Sequence, residues 1–138
     1  KLQALVRERH LEEYVVFMGA ISNEVLCTLY QVADVVLSLS EHEGFCVPLV
    51  EGMIFEKPVF AYACAAVPET LGRAGILLRD KSPDAVAMVL QHTLGDAAAL
   101  QQLAIERKKR LAELSYERIR GQVEADLQEI IKLWRENH

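Results

Sequence analysis

S-E-H-E-G-F-C-V-P-L-V-E, Ser40 to Glu51, lies between two short apolar runs, Val35 to Leu39 and Val59 to Tyr62, and its reading decides the fold. Runs of that length on either side of a polar, glycine-containing stretch predict buried strands, so Ser40 to Glu51 reads as a strand-to-helix crossover. Pro48 suits the first helical position, where a missing N–H is harmless and φ is already set. Val47 then becomes the N-cap. Valine has no side-chain oxygen to satisfy the first turn, so the amides of Leu49, Val50 and Glu51 are predicted to point outward, unpaired. Such a terminus attracts an anion. Gly44 lets the backbone turn sharply or a ligand approach closely. Glu43 stands before the turn and Glu51 in the first turn of the helix, with seven residues between them.

Outward from this stretch, strands and helices alternate. Tyr14 to Met18 is an apolar run ended by Gly19, and it predicts a further strand. Ser22 is a candidate N-cap for a helix through Val32 that turns Val25, Leu26, Leu29 and Tyr30 inward. With Val35 to Leu39 this predicts a right-handed parallel βαβ unit. The helix from Pro48 runs to about Phe55 and stops before Pro58, which disfavours helix at the residue preceding it. Val59 to Tyr62 is the next strand. Val67-Pro68-Glu69-Thr70 opens a short helix that Gly72 stops, and Gly75 to Leu78 is a last short strand. Strands nearly continuous in apolar residues predict a parallel sheet covered on both faces: an α/β, three-layer domain.

From Ser82 onward only helices are predicted. Ser82-Pro83 caps one through Leu94, Asp96 one through about Leu114, and Ser115 one to Glu136. The chain divides into an α/β core over residues 1–82 and a helical segment over 83–138. In the last helix Tyr116, Ile119, Val123, Leu127, Ile130 and Trp134 form one apolar stripe, in which Trp134 reads as a packing anchor. Lys1 to Arg9 is also helical in pattern, with no capping residue before it, so the chain is expected to begin inside an element.

A chain of 138 residues, 51% apolar and 25% charged, predicts one globular domain with a real core. Its net charge of −5 argues against a nucleic-acid surface. The consecutive Arg107, Lys108, Lys109 and Arg110 read as a solvated helix face rather than a lipid or phosphate contact. No apolar run approaches the ~20 residues that span a bilayer, and the first residues do not resemble a signal peptide, so a cytoplasmic protein is expected. Cys27, Cys46 and Cys64 show no C-x-x-C spacing and predict reduced thiols. No base lies near Cys46 in sequence, which reads as a small residue in a tight turn rather than a nucleophile. The four histidines show no metal-ligand spacing.

The ordered run Glu43, Gly44-Phe45, Pro48-Leu49 and Glu51 resembles the signature of retaining glycosyltransferases of the GT-B fold, which use nucleotide-diphosphate sugars. The likeness extends upstream through V-V-F-M-G and E-V-L-C-T-L-Y-Q-V-A-D-V-V-L-S, and downstream through K-P-V-F-A-Y and V-P-E-T-L-G-R-A-G-I-L-L. It covers Tyr14 to Leu78 and continues beyond only in general character. The resemblance implies part of a C-terminal, Rossmann-like, donor-binding domain, with a UDP- or GDP-hexose as donor, an acceptor hydroxyl, and neither cofactor nor metal. It implies that Glu51 accepts hydrogen bonds from the ribose diol and that Glu43 approaches the sugar hydroxyls. Backbone N–H groups of Gly44, Phe45 and Cys46 would face the sugar, those of Leu49 and Val50, next to Pro48, the diphosphate. The backbone of Gly19, Ala20 and Ile21 would line the nucleobase. From the residues alone, Glu43 reads equally as a loop charge and Glu51 as a carboxylate favoured by the helix dipole. Phe45 reads also as a core residue, and His42 as a loop histidine bonded to a carboxylate.

The chain contains no counterpart of the first two strands of the family's domain, of the Arg and Lys that neutralise the diphosphate, or of the N-terminal acceptor domain. It is therefore expected to be truncated on its N-terminal side. Either Tyr14 to Met18 pairs directly with Val35 to Leu39, or another chain fills the gap. A helix dipole alone contributes about 0.3 to 1 kcal/mol to an exposed anion, so weak donor binding and no turnover are expected of this chain by itself. In the family the final helix returns to the other domain, so its stripe is expected to be exposed here and to favour self-association. The full-length enzyme is expected in the cytoplasm or at the membrane periphery. The rival expectation is a non-catalytic Rossmann-like module that binds nucleotide or a partner protein. A flavodoxin-like receiver fits the size but lacks the aspartates at strand ends.

Overall fold

In the computed structural model, which describes residues 1–137, the stretch between the two apolar runs does join a strand to a helix. The elements are α1 (Leu2–Glu8), α2 (Asn23–Val32), β1 (Val36–Ser38), α3 (Val47–Ile54), β2 (Val59–Tyr62), α4 (Val67–Leu71), β3 (Ile76–Leu78), α5 (Pro83–Leu94), α6 (Ala97–Glu113) and α7 (Tyr116–Glu136). The sheet is parallel with strand order β1-β2-β3. Val36 faces Val59 and Ser38 faces Ala61 across the first pair. Phe60 faces Ile76 and Tyr62 faces Leu78 across the second.

Alternation along the strands divides the core in two. Val59 and Ala61, with Val36 and Leu77, meet Leu49 and Met53 of α3, Val67 and Leu71 of α4, and Leu111 of α6. Phe60 and Leu78, with Ile76, meet Val86, Val89 and Leu90 of α5 on the opposite face. This is the expected three-layer arrangement. The cover is uneven, because β1 is an edge strand and its Leu37 remains exposed. Burying side chains such as Phe60, Leu49 and Met53 contributes about 1.5 to 3 kcal/mol each. Helix α3 presses onto the sheet at Gly52, where a Cβ would stand 2.9 Å from Val36 Cγ2 and 3.0 Å from Val59 Cγ2.

The expected strand at Tyr14 to Met18 is absent. The N–H groups of Tyr14 and Val15 both donate back to the Leu11 carbonyl at 3.0 Å, and the segment leaves that turn extended, unpaired with β1 and exposed throughout. An apolar run becomes a strand only with an edge to pair with and a layer to cover it, and neither reaches this one. The predicted βαβ unit is therefore not formed, and of the two ways of completing the sheet, direct pairing with Val35 to Leu39 is not used.

The capping predictions hold at three helices. Ser22 accepts from the Val25 N–H (3.4 Å), Asp96 Oδ1 from those of Ala98 (2.9 Å) and Ala99 (3.0 Å), and Ser115 from that of Arg118 (3.4 Å). Ser82 does not cap α5. Its N–H donates to Asp80 Oδ1 (2.8 Å) and its hydroxyl to Oδ2 (2.9 Å), so Asp80 shapes that turn. At the end of α3, Glu56 adopts a left-handed φ of 58° and donates its N–H to Met53 O (3.1 Å), while the Lys57 N–H donates to Gly52 O (2.9 Å). This is a Schellman closure, with Pro58 just beyond it.

The basic run is not a solvated face. Arg107 is buried and donates to the Lys57 carbonyl (3.4 Å). Arg110 reaches the last turn of α4, donating from Nε to Thr70 O (3.0 Å) and from Nη2 to Glu69 O (2.5 Å), and it also pairs with Glu113 (2.7 Å). These two arginines tie α6 to the core; Lys108 and Lys109 are exposed as expected. Helix α7 has no buried residue, and its predicted stripe is 50% to 72% exposed. Among the described residues no helix is long and apolar enough to cross a membrane.

Candidate functional site

Because the three strands run parallel, their carboxyl ends and the segments 39–46, 63–66 and 79–82 lie along one edge of the sheet. Hydrogen bonds lace these segments together. Cys64 Sγ donates to the Ser40 carbonyl at 3.0 Å, the Ala66 N–H to the Glu43 carbonyl at 3.4 Å, and the Ala63 N–H to the Leu78 carbonyl at 2.8 Å. Lys81 pairs with Glu41, and its ammonium lies 4.9 Å from the Tyr62 ring centroid. The pair draws the Glu41 carboxyl below its ordinary range and raises the Lys81 ammonium, in each case chiefly through their mutual hydrogen bond.

Helix α3 starts one residue earlier than predicted. Its N-cap is Cys46, in the left-handed conformation (φ 63°, ψ 66°), so Val47 is the first helical residue and Pro48 the second. Left-handed backbone at a non-glycine residue costs about 1 to 3 kcal/mol. Burial of the Cys46 side chain among Leu49, Met53 and their neighbours offsets that strain. No side chain caps the helix. The Leu49 N–H is not left unpaired, however: it donates to the Cys46 carbonyl at 3.0 Å, a three-residue turn closing the helix start. The early start also carries the Glu51 N–H into the helix. Cys46 Sγ lies 3.9 Å from Ser38 Oγ, and burial first, then the charge of Glu43, pushes the thiol pKa up. It is therefore a protonated structural thiol.

Glu51 is half-buried on the face of α3 that looks toward α2, and its Oε2 accepts the Tyr30 hydroxyl at 2.9 Å. One turn later on the same face, the Phe55 ring stacks on that of Tyr30, with centroids 5.3 Å apart and planes 10° from parallel. Burial, then the hydrogen bond and charge of Glu51, raises the Tyr30 hydroxyl far above its usual range, so it stays a donor. Sequence periodicity places Tyr30 inward but cannot pair it with a carboxylate 21 residues on. Lys81 is likewise silent in the sequence, because its partner Glu41 is brought near only by the sheet.

The other predicted residues fall as follows. Glu43 is half-buried; Gly44, Phe45 and Pro48 are exposed. A cavity of about 290 Å³ opens beside Gly44 and Phe45, bounded by Ala66, Glu69, Thr70 and Arg110. The Leu49 side chain is wholly buried and Val50 packs on the core, so only their backbone can face a ligand. His42 is exposed. Gly19 has a left-handed φ of 62°, Ala20 is exposed and Ile21 half-buried. Among the described residues, no hydrogen bond joins Gly19 to Ile21 with the turn at Glu43 to Glu51.

A parallel sheet whose carboxyl edge carries a helix start without a side-chain cap has the layout of a Rossmann-like domain. The sequence model of the family described as Glycosyl transferases group 1 matches residues 1–96, and the chain belongs to that family. It is 30% identical over 115 residues to an MMP alpha-(1->4)-mannosyltransferase from Mycolicibacterium hassiacum, covering 81% of this chain and 28% of that protein. It is 30% identical over 95 residues to the O-antigen chain mannosyltransferase B of Escherichia coli, covering 69% of this chain and 25% of that one. The chain thus spans about a quarter of the length of these relatives. Sucrose-phosphate synthase from Thermosynechococcus elongatus superposes with a TM-score of 0.77 at 27% identity, over 96% of this chain and 34% of its own. The C-terminal domain of a glycosyl transferase group 1 family protein from Francisella tularensis does so with a TM-score of 0.65 at 25% identity, over 80% of this chain and 58% of its own. The fold is that of a Rossmann-like domain of the GT-B type.

Proposed function

We propose that this chain binds the nucleotide-diphosphate sugar for a cytoplasmic, retaining hexosyltransferase, with UDP- or GDP-hexose as donor and an acceptor hydroxyl as recipient. The observation that carries this reading is the placement of Glu43 and Glu51 on either side of an uncapped helix start, at the carboxyl edge of the sheet, in a member of this family. Glu51 gives one carboxylate oxygen to Tyr30 and keeps the other for the ribose diol. Glu43 takes sugar hydroxyls, with the N–H groups of Gly44, Phe45 and Cys46. The positive end of α3, from Pro48 through Leu49 and Val50, faces the diphosphate and stabilises the charge that grows on it as the glycosidic bond breaks. Gly19, Ala20 and Ile21 receive the nucleobase through their backbone. No metal enters this scheme, and no enzyme nucleophile does, since the Cys46 thiol is buried and protonated. The acceptor side comes from a further domain, which covers the α7 stripe; without it the chain self-associates through that stripe and does not turn over.

Thermal unfolding with UDP, GDP and their hexoses tests the reading. A ligand at a hundred times its dissociation constant stabilises by about 2.7 kcal/mol, and Glu51→Ala is expected to abolish the shift. No shift with any of these nucleotides, or an equal shift in Glu51→Ala, refutes it. A non-catalytic nucleotide-binding module is the second reading. The engagement of the Leu49 N–H by Cys46 favours it, since that leaves fewer donors for a leaving group.

A further inference from the structure

The helix start says where an anion would sit, whereas Tyr30 bears on how a carboxylate beside it is aimed. Glu51 of α3 and Phe55, the residue that caps its C-terminus, are one turn apart, so they share a face, and Tyr30 of α2 meets both. Its ring lies flat on Phe55 at 5.3 Å, and its hydroxyl donates to Glu51 Oε2 at 2.9 Å. Phe55 thus fixes the ring, the ring fixes the hydroxyl, and the hydroxyl fixes one oxygen of the carboxylate. Helix α2 has no buried residue of its own. Besides this contact it is tied to the end of α3 by Lys57 Nζ, which donates to the Gln31 carbonyl at 2.8 Å. A half-buried tyrosine used only for packing would not need its hydroxyl on a carboxylate that the binding scheme already uses.

We infer that Tyr30 is a positioning residue that holds the Glu51 carboxylate in the rotamer that receives the ribose diol, making the site selective for ribonucleotides over deoxyribonucleotides. This rests on the donor-binding reading above. The hydrogen bond occupies Oε2 and limits rotation of the carboxylate, leaving Oε1 as the acceptor presented to the ligand. Because the Tyr30 hydroxyl stays protonated, it cannot repel that carboxylate.

Tyr30→Phe keeps the ring on Phe55 and removes only the hydroxyl. Binding of UDP and GDP, and of dUDP and dGDP, is measured calorimetrically for the wild-type chain and the variant, with unfolding followed in the absence of ligand. The ribo-to-deoxy preference is expected to fall by about fivefold in Tyr30→Phe, within what a typical hydrogen bond contributes. The melting temperature should stay near the wild-type value. An unchanged preference overturns the inference, and so does an equal loss for both nucleotide types, which would mark a purely structural hydroxyl. A wild-type chain that binds nucleotide without preferring ribose overturns both the Glu51 assignment and this inference while leaving an anion site. One that binds none of the four overturns the donor-binding reading itself, and the inference with it.

Discussion

Gly52 is where the candidate site is held against the sheet, and Gly52→Ala measures how tightly. The added Cβ would stand 2.9 Å from Val36 Cγ2, 3.2 Å from Val36 Cβ and 3.0 Å from Val59 Cγ2. Neither valine can swing aside. Both sit on paired strands, both are β-branched and stiff at χ1, and Val59 is wholly buried. In an exposed helix the same change stabilises by about 1 kcal/mol. Overpacking a fitted core costs about 1 to 3 kcal/mol, so the net expectation is a loss of up to about 2 kcal/mol. At an unfolding entropy of about 2.1 cal/mol/K per residue, a chain of this size should melt up to about 7 °C lower. Circular dichroism melts of Gly52→Ala, Val36→Ala and the double variant check it. Val36→Ala alone leaves a cavity that the new methyl partly fills, so the double variant should be more stable than the sum of the singles by about 1 kcal/mol. Gly52→Ala melting above the wild type, with no coupling to Val36, would mean that α3 has room to rise and that its N-terminus is not pinned by the sheet.

Two further outcomes follow from the side-chain contacts. Lys81→Met should raise the Glu41 pKa toward its ordinary 4.5 in an NMR titration, because the Lys81 hydrogen bond and charge hold it lower. The contribution of Glu41 to stability is fully present above 4.5 and is lost as pH falls through the lower folded value, whereas that of Lys81 is full below 10.5 and lost as pH rises through its higher one. A Glu41 titration that does not move in Lys81→Met would refute the pair. Arg110→Met should cost about 1.5 to 3 kcal/mol in urea unfolding, because it strips a charged donor from the Glu69 and Thr70 carbonyls; a loss below ~0.5 kcal/mol would show the clamp to be idle.

The parts of the fold that could be read ahead are those fixed by neighbours in sequence. Ser22, Asp96 and Ser115 cap their own helices, and the continuous apolar run at Val59 to Tyr62 suffices to make a strand buried on both faces. Errors arose where the decisive partner is distant. Tyr14 to Met18 has the composition of a strand but meets no edge. Arg107 and Arg110 have the composition of a solvated run, but their acceptors, Lys57, Glu69 and Thr70, come from other elements. Within the site, the Glu43 and Glu51 spacing and the lack of a side-chain cap were legible. The left-handed turn at Cys46 was not, since nothing local marks a cysteine for positive φ. Its cause is the core beneath it, which takes the side chain.

That turn changes which groups an anion would meet. With the N-cap at Val47, three successive amides would have faced outward. With the N-cap at Cys46, Pro48 falls within the first turn and supplies no donor, the Leu49 N–H is spent on the Cys46 carbonyl, and the Glu51 N–H lies within the helix. A diphosphate at the start of α3 would therefore meet fewer amide donors than a Val47 cap would offer. There the macrodipole supplies about 0.3 to 1 kcal/mol when exposed, far short of what a doubly charged leaving group requires. The nearby ammonium at this edge, that of Lys81, is already paired with Glu41. On the proposed donor-binding reading, affinity at this edge would then rest more on the carboxylate contacts to ribose and sugar than on the helix, which gives weight to the aim of Glu51 by Tyr30.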